Sequence, residues 1–257
     1  MGVFDSGVGG LSVLPALERR LPQARLVYVA DSGHAPYGER EDAWLQARCL
    51  KIAEFLKSRG AQMLVMACNT ATAAAAPALR ARHPGLPIVG IEPGIKPAVA
   101  QSARGRVGVM ATEATLRSQR YARLLSEHGA GALVQAHACT GLAMAIERAN
   151  VPTIAALVEQ HTLPLRDLGV DTLVLGCTHY AFARPWIEAA MGPHVAIIDT
   201  ADAVASRASS LAQVLQPNPY PAQGPEFWTS GSPFELQAFA HRWLRRTIHA
   251  RTLDLDD

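Results

Sequence analysis

The same short passage occurs twice in this chain, and that repetition limits the folds open to it more than any other feature. Leu56-Lys57-Ser58-Arg59-Gly60 overlays Leu165-Arg166-Asp167-Leu168-Gly169, and without a gap Leu64-Val65-Met66-Ala67-Cys68 then overlays Leu173-Val174-Leu175-Gly176-Cys177. At a slightly different offset, Gly2-Val3-Phe4-Asp5-Ser6 overlays Gly108-Val109-Met110-Ala111-Thr112. Halves that share these elements in the same order read as copies of one supersecondary unit. Short runs rich in Val, Leu and Ile alternate with segments of helical period, the pattern of an α/β protein with mostly parallel sheets. The sequence therefore predicts two pseudo-symmetric α/β domains with the functional site in the cleft between them. Residues 1–92 with 206–257 make up the first domain and 93–205 the second.

Strands are expected at 2–4, 25–30, 63–67, 88–91, 107–110, 132–136, 172–175 and 195–198. Between them Leu45, Cys49, Ile52, Ala53 and Leu56 fall on one helical face, with Gly60 as the C-terminal stop. Cys49 reads as core. A Pro-rich stretch, Pro217-Asn218-Pro219-Tyr220-Pro221, precedes Phe227-Trp228-Thr229 and a last helix with an apolar stripe of Leu236, Phe239, Ala240, Trp243 and Leu244. That stripe is expected to pack back onto one of the halves.

With 257 residues, 49% of them apolar and 18% charged, the chain can bury a sizeable core. Its longest apolar runs are strand-sized, far short of the roughly 20 residues that span a bilayer. The N-terminus enters a strand without the basic and apolar segments of a signal peptide, so a cytosolic protein is expected. A formal charge of +2 comes from scattered, nearly balanced groups. The cluster Arg242, Arg245 and Arg246 reads as a solvated helix face, and no nucleic-acid partner is implied. The four cysteines, Cys49, Cys68, Cys139 and Cys177, are expected to be free thiols in a reducing compartment.

Cys68 and Cys177 each follow a buried strand and precede small polar residues that open a helix, Asn69-Thr70 and Thr178-His179. Backbone N–H groups and the helix dipole favour a thiolate at such a place. Parallel sheets also set their ligand sites beyond the C-terminal ends of strands, so facing halves would aim two thiols at one cleft. The loop Asp5-Ser6-Gly7-Val8-Gly9-Gly10 lacks the spacing of a nucleotide-binding motif, but its N–H groups suit a carboxylate. Asp5 is expected near the mouth of the cleft, where it can accept or orient a proton. Cys177 and His179 lack the further paired ligands of a zinc site, so no metal is expected. The only lysines are Lys51, Lys57 and Lys96; the first two lie on an amphipathic helix and none follows a glycine-rich phosphate site, which argues against pyridoxal phosphate.

Phe4-Asp5-Ser6-Gly7-Val8-Gly9-Gly10-Leu11, Pro36-Tyr37-Gly38, Ala67-Cys68-Asn69-Thr70-Ala71 and Leu175-Gly176-Cys177-Thr178-His179-Tyr180 together resemble the glutamate racemases of the aspartate/glutamate racemase superfamily. The resemblance implies cofactor-independent proton transfer by Cys68 and Cys177 on opposite faces of the substrate α-carbon, Cys68 acting on D-glutamate and Cys177 on L-glutamate. It implies that Asp5 assists Cys68, and that His179, supported by Glu147, assists Cys177. Ser6, Pro36, Tyr37, Gly38, Asn69, Thr70, Thr112, Thr115 and Thr178 match the family's substrate-contacting positions. A role in supplying D-glutamate for peptidoglycan follows from the same resemblance, and a homodimer is compatible with it. Thr140, Ala181 and Ala111 depart from residues common in the family, and none of them removes a proposed acid, base or hydroxyl. Two other readings stay open: a racemase for aspartate or another amino acid, and a catalytically silent amino-acid-binding regulator.

Overall fold

The computed structural model describes residues 1–215 and 224–255. The Pro-rich stretch Pro217 to Pro221 lies outside the described residues. The chain divides into two compact units, one made of Met1–Ile91 with the chain from Ala201 onward, the other of Glu92–Thr200. The first unit begins with β1 (Gly2–Asp5), β2 (Val27–Ala30), β3 (Leu64–Met66) and β4 (Ile88–Gly90). The second holds β5 (Arg106–Ala111), β6 (Leu133–Ala138), β7 (Thr172–Gly176) and β8 (Ala196–Ile198). The chain then adds β9 (Glu226–Thr229) and β10 (Ala250–Thr252) to the first.

All the described ladders are parallel. The strand order is β10-β9-β2-β1-β3-β4 in one sheet and β6-β5-β7-β8 in the other. Without the two C-terminal strands, both sheets have the same order: second, first, third, fourth. The sequence duplication is thus a duplication of topology. Strands β1, β2, β3 and β7 are buried at every residue, as expected of parallel strands covered on both faces and written as unbroken apolar runs.

The repeated passage folds the same way both times. Helix Asp42–Ser58 ends with Gly60 N–H donating to Lys57 O at 2.8 Å and Ala61 N–H to Leu56 O at 3.0 Å. Helix Val151–Asp167 ends with Gly169 N–H donating to Arg166 O at 2.8 Å and Val170 N–H to Leu165 O at 3.2 Å. This paired closure needs a left-handed residue, and glycine supplies it at φ +84° and +66°. Packing repeats too. A Cβ on Gly2 would lie 2.9 Å from side-chain atoms of Leu56 and Leu64, and one on Gly108 would lie 2.9 Å from Leu173 and 3.4 Å from Leu165. Aligned glycines therefore admit aligned leucines. The predicted face of helix Asp42–Ser58 is buried, with Leu45, Cys49, Ile52, Ala53 and Leu56 packed in one cluster with Phe4, Leu64 and Met66.

The C-terminal strands were not marked by the apolar pattern, because β9 is an alternating four-residue strand and β10 has three residues, two of them exposed. In helix Pro233–Leu244 the stripe buries Leu236, Phe239 and Ala240, while Trp243 and Leu244 are half-buried. The three arginines do not share a helix face, contrary to expectation. Arg245 takes the left-handed conformation and ends the helix, and Arg246 lies beyond it, pairing with Glu18 at 2.8 and 2.9 Å. No helix among the described residues is long and apolar enough to cross a membrane.

Candidate active site

In each sheet the chain leaves the first strand for a neighbour on one side and later crosses to the other side for the third strand. A crevice opens at such a switch point, beyond the C-terminal ends of the first and third strands. In the first unit those ends carry Asp5, the last residue of β1, with Ser6 after it, and Cys68 after β3. Cys68 caps helix Asn69–Arg82, its Sγ accepting the Ala71 N–H at 3.4 Å. The thiol lies 3.6 Å from Ser6 Oγ, which donates in turn to Asp5 Oδ1 at 3.3 Å. Asp5 also accepts the Gly7 N–H at 2.9 Å. Asp5 is fully buried, its Oδ1 accepting from Ser6 Oγ and from the Gly7 N–H in the loop that follows β1. Asn69 and Thr70 are buried beside it, and Asn69 Oδ1 has no hydrogen-bond partner within the protein. A buried amide oxygen left unpaired costs about 1–3 kcal/mol, so this atom is suited to a polar ligand.

The second unit supports its cysteine differently. Cys177 follows β7, but the helix expected after it is a six-residue 3-10 segment, Thr178–Ala183, with Tyr180 N–H closing onto Cys177 O at 3.1 Å. The Cys177 side chain makes no cap bond. Its Sγ meets His179 Nδ1 at 3.7 Å, and His179 Nε2 meets Glu147 Oε2 at 2.7 Å. Burial favours the neutral ring and is the largest single influence on His179. Hydrogen bonds and charge from Cys177 and Glu147 together outweigh it and hold the His179 proton well above the usual imidazole range. Glu147 ends the short helix Leu142–Glu147. Thr112 follows β5, which pairs with β7 through Ala111 and Gly176; it caps the next helix and donates to Thr115 Oγ1 at 2.9 Å. Thr115 and Thr178 are buried.

Within the first unit the structure groups Asp5, Ser6, Cys68, Asn69 and Thr70, and within the second Cys177, Thr178, His179 and Glu147. Pro36, Tyr37 and Gly38 lie in the loop after β2, where Pro36 and Gly38 are half-buried and Tyr37 is buried in the same apolar cluster as Cys68. The phenol of Tyr37 donates to Asp31 Oδ2 at 2.5 Å. Asp31 was not singled out from sequence, although Asp31-Ser32-Gly33 repeats the Asp5-Ser6-Gly7 pattern after the neighbouring strand. Cys49 and Cys139 are poor candidates for bases. Burial first, then the charge of Cys68, pushes the Cys49 thiol well up; burial, then the charge of Cys177, does the same to Cys139. Among the described residues no group of three or more His, Cys, Asp or Glu side chains is arranged to hold a metal ion.

Each of the duplicated parallel sheets thus carries a cysteine at its switch point, and the family comparison makes the chain an amino-acid racemase. The Asp/Glu/Hydantoin racemase family model matches residues 11–208, and the chain belongs to that family. It is 46% identical over 243 residues to the glutamate racemase of Pseudomonas aeruginosa, covering 92% of this chain and 91% of that one. Among solved structures it is similar to glutamate racemase isoform RacE1 from Bacillus anthracis, with a TM-score of 0.88, 35% identity, and coverage of 99% of this chain and 97% of the other. It is likewise similar to the glutamate racemase of Francisella tularensis in complex with D-glutamate, with a TM-score of 0.85, 26% identity, and coverage of 99% and 97%.

Proposed function

We propose that this protein is a glutamate racemase that interconverts L- and D-glutamate without a cofactor, by proton transfer between the substrate and two thiols. The observation that carries the reading is the pair of cysteines at equivalent switch points of duplicated sheets, each with its own polar support. Racemisation removes a proton from one face of the α-carbon and delivers another to the opposite face, which calls for two groups in opposite protonation states. In this reading the two units face each other across a cleft, Cys68 acts on D-glutamate and Cys177 on L-glutamate. Ser6, Asn69, Thr70, Thr112, Thr115, Thr178 and the Pro36-Tyr37-Gly38 loop hold the substrate's polar groups. Preorganised donors at the α-carboxylate stabilise the developing carbanion, an effect often worth several kcal/mol. The naming of relatives as glutamate racemases supports glutamate as the substrate, and with it peptidoglycan synthesis in a bacterial cytoplasm as the destination of D-glutamate; whether the protein is a homodimer is a question for light scattering.

A chiral assay on purified protein without added cofactor tests the reading, using both enantiomers of glutamate, aspartate and glutamine. We expect racemisation of glutamate, with kcat/KM for aspartate lower by about 10- to 200-fold, the range one methylene commands in a fitted site. Comparable turnover of aspartate would favour the broader racemase. Thermal stabilisation by glutamate without racemisation would favour a silent binding protein.

A further inference from the structure

The loop carrying Pro36, Tyr37 and Gly38 is tied down by a buried network to which the C-terminal part of the chain contributes. Asp31 is fully buried at its centre. Its Oδ2 accepts from Tyr37 OH at 2.5 Å and Arg48 Nε at 2.9 Å; its Oδ1 accepts from Arg48 Nη2 at 2.7 Å and Ser230 Oγ at 2.6 Å, and lies 3.1 Å from His34 Nδ1. Burial alone would raise the pKa of Asp31, but the bonds from Arg48, Ser230 and Tyr37 hold it below the usual carboxylate range. Ser230 follows β9 and arrives from almost 200 residues away in the sequence, its Oγ also accepting the Gly33 N–H at 3.1 Å. A Cβ on Gly33 would lie 2.5 Å from Ser230 O, so the two turns are in close contact. Trp44 adds an aromatic wall, 5.8 Å from Tyr37 edge-on and 5.7 Å from His34.

We propose that Ser230 and Asp31 are positioning residues of the racemase: Ser230, through Asp31 and the Tyr37 phenol, sets the Pro36-Tyr37-Gly38 main chain against the substrate. This rests on the functional reading above, in which that loop contacts glutamate. The phenol is committed to Asp31 and is buried, so it acts as an anchor. The loop's first N–H groups open a one-turn 3-10 helix, Tyr37–Glu39, where they have no intrahelical acceptor. Fixing the phenol therefore fixes where those donors point. The β9–β10 addition to the first sheet then has a purpose beyond closing an edge, since it delivers Ser230 to the carboxylate.

The test is a double-mutant cycle of Ser230→Ala and Tyr37→Phe, chosen because Asp31→Asn would strand the buried Arg48 charge and endanger folding. Ser230→Ala should raise KM for both enantiomers by about three- to tenfold, the range of one ordinary hydrogen bond, with kcat within about twofold. The double variant should raise KM no further than Tyr37→Phe alone. Hydrogen exchange provides a readout independent of activity: Ser230→Ala should lose protection across 33–40. Additive KM effects, or a lowered melting temperature with unchanged KM, would overturn the proposal. If the wild type itself fails to racemise glutamate, the functional reading falls, and unchanged protection of 33–40 in Ser230→Ala would then dispose of the network separately.

Discussion

Cys68→Ala and Cys177→Ala are each expected to lower kcat/KM for glutamate racemisation by at least about 10³-fold, within the range general acid–base groups supply. In the proposed mechanism each thiol is base in one direction and acid in the other, so neither can be spared in either direction. Because the two enantiomers have equal free energy in water, kcat/KM must be the same both ways, and every variant must lower both by one factor. Cys49→Ala provides the contrast. That thiol is fully buried in the cluster beneath helix Asp42–Ser58, with its proton held by burial, and its loss removes packing worth roughly 1 kcal/mol without touching the chemistry. Chiral chromatography under reducing conditions reads all three variants. Near-normal turnover by Cys68→Ala or Cys177→Ala would refute the assignment.

His179→Asn is expected to reduce kcat by about 10²-fold, the lower end of what a group assisting proton transfer contributes. The imidazole links Cys177, 3.7 Å from Nδ1, to Glu147, 2.7 Å from Nε2, and asparagine cannot span both. The same variant carries a pH signature in stability. In the unfolded chain His179 titrates near about 6.5, and in the folded protein it keeps its proton to higher pH. The folded state therefore binds more protons than the unfolded state between those two values. Its stabilisation is complete below the unfolded value and is lost as pH rises through the folded one. The melting-temperature gap between wild type and His179→Asn should accordingly be widest in mild acid and shrink toward alkaline pH. A gap that widens with rising pH would contradict a protonated His179 held by Glu147.

Much of this architecture was legible because the duplication is written in residues whose packing is unforgiving. Gly60 and Gly169 are needed for left-handed helix ends, Gly2 and Gly108 for leucines that press on the first strands, and the apolar runs between them for strands buried on both faces. All eight strands of the duplicated core lie where their apolar runs stand. The elements outside the duplication were harder to read. β9 is a four-residue strand of alternating burial and β10 has three residues, two of them exposed, so neither is written as an apolar run, and no pattern foretells that Arg245 would turn left-handed and send Arg246 to Glu18. At the candidate site the cysteines and their polar neighbours were legible as motifs. The approach of Glu147 to His179 was not derivable from spacing, since the two lie 32 positions apart with a strand between them. The link from Ser230 to Asp31 depends on β9 pairing with β2 and is visible only in the folded chain.

The claim that two separate thiols share the reaction is tested most directly by following the α-hydrogen in deuterated water. With Cys177 removing a proton from L-glutamate and Cys68 delivering one to the other face, the proton lost and the proton gained are different atoms. D-glutamate formed in the first turnovers should carry solvent deuterium at the α-carbon, while the remaining L-glutamate stays largely protiated, as read by mass spectrometry after chiral separation. A single base reaching both faces would return some of the original hydrogen to product. Substantial protium in the initial D-glutamate would contradict the two-thiol account, even in a protein that racemises glutamate well.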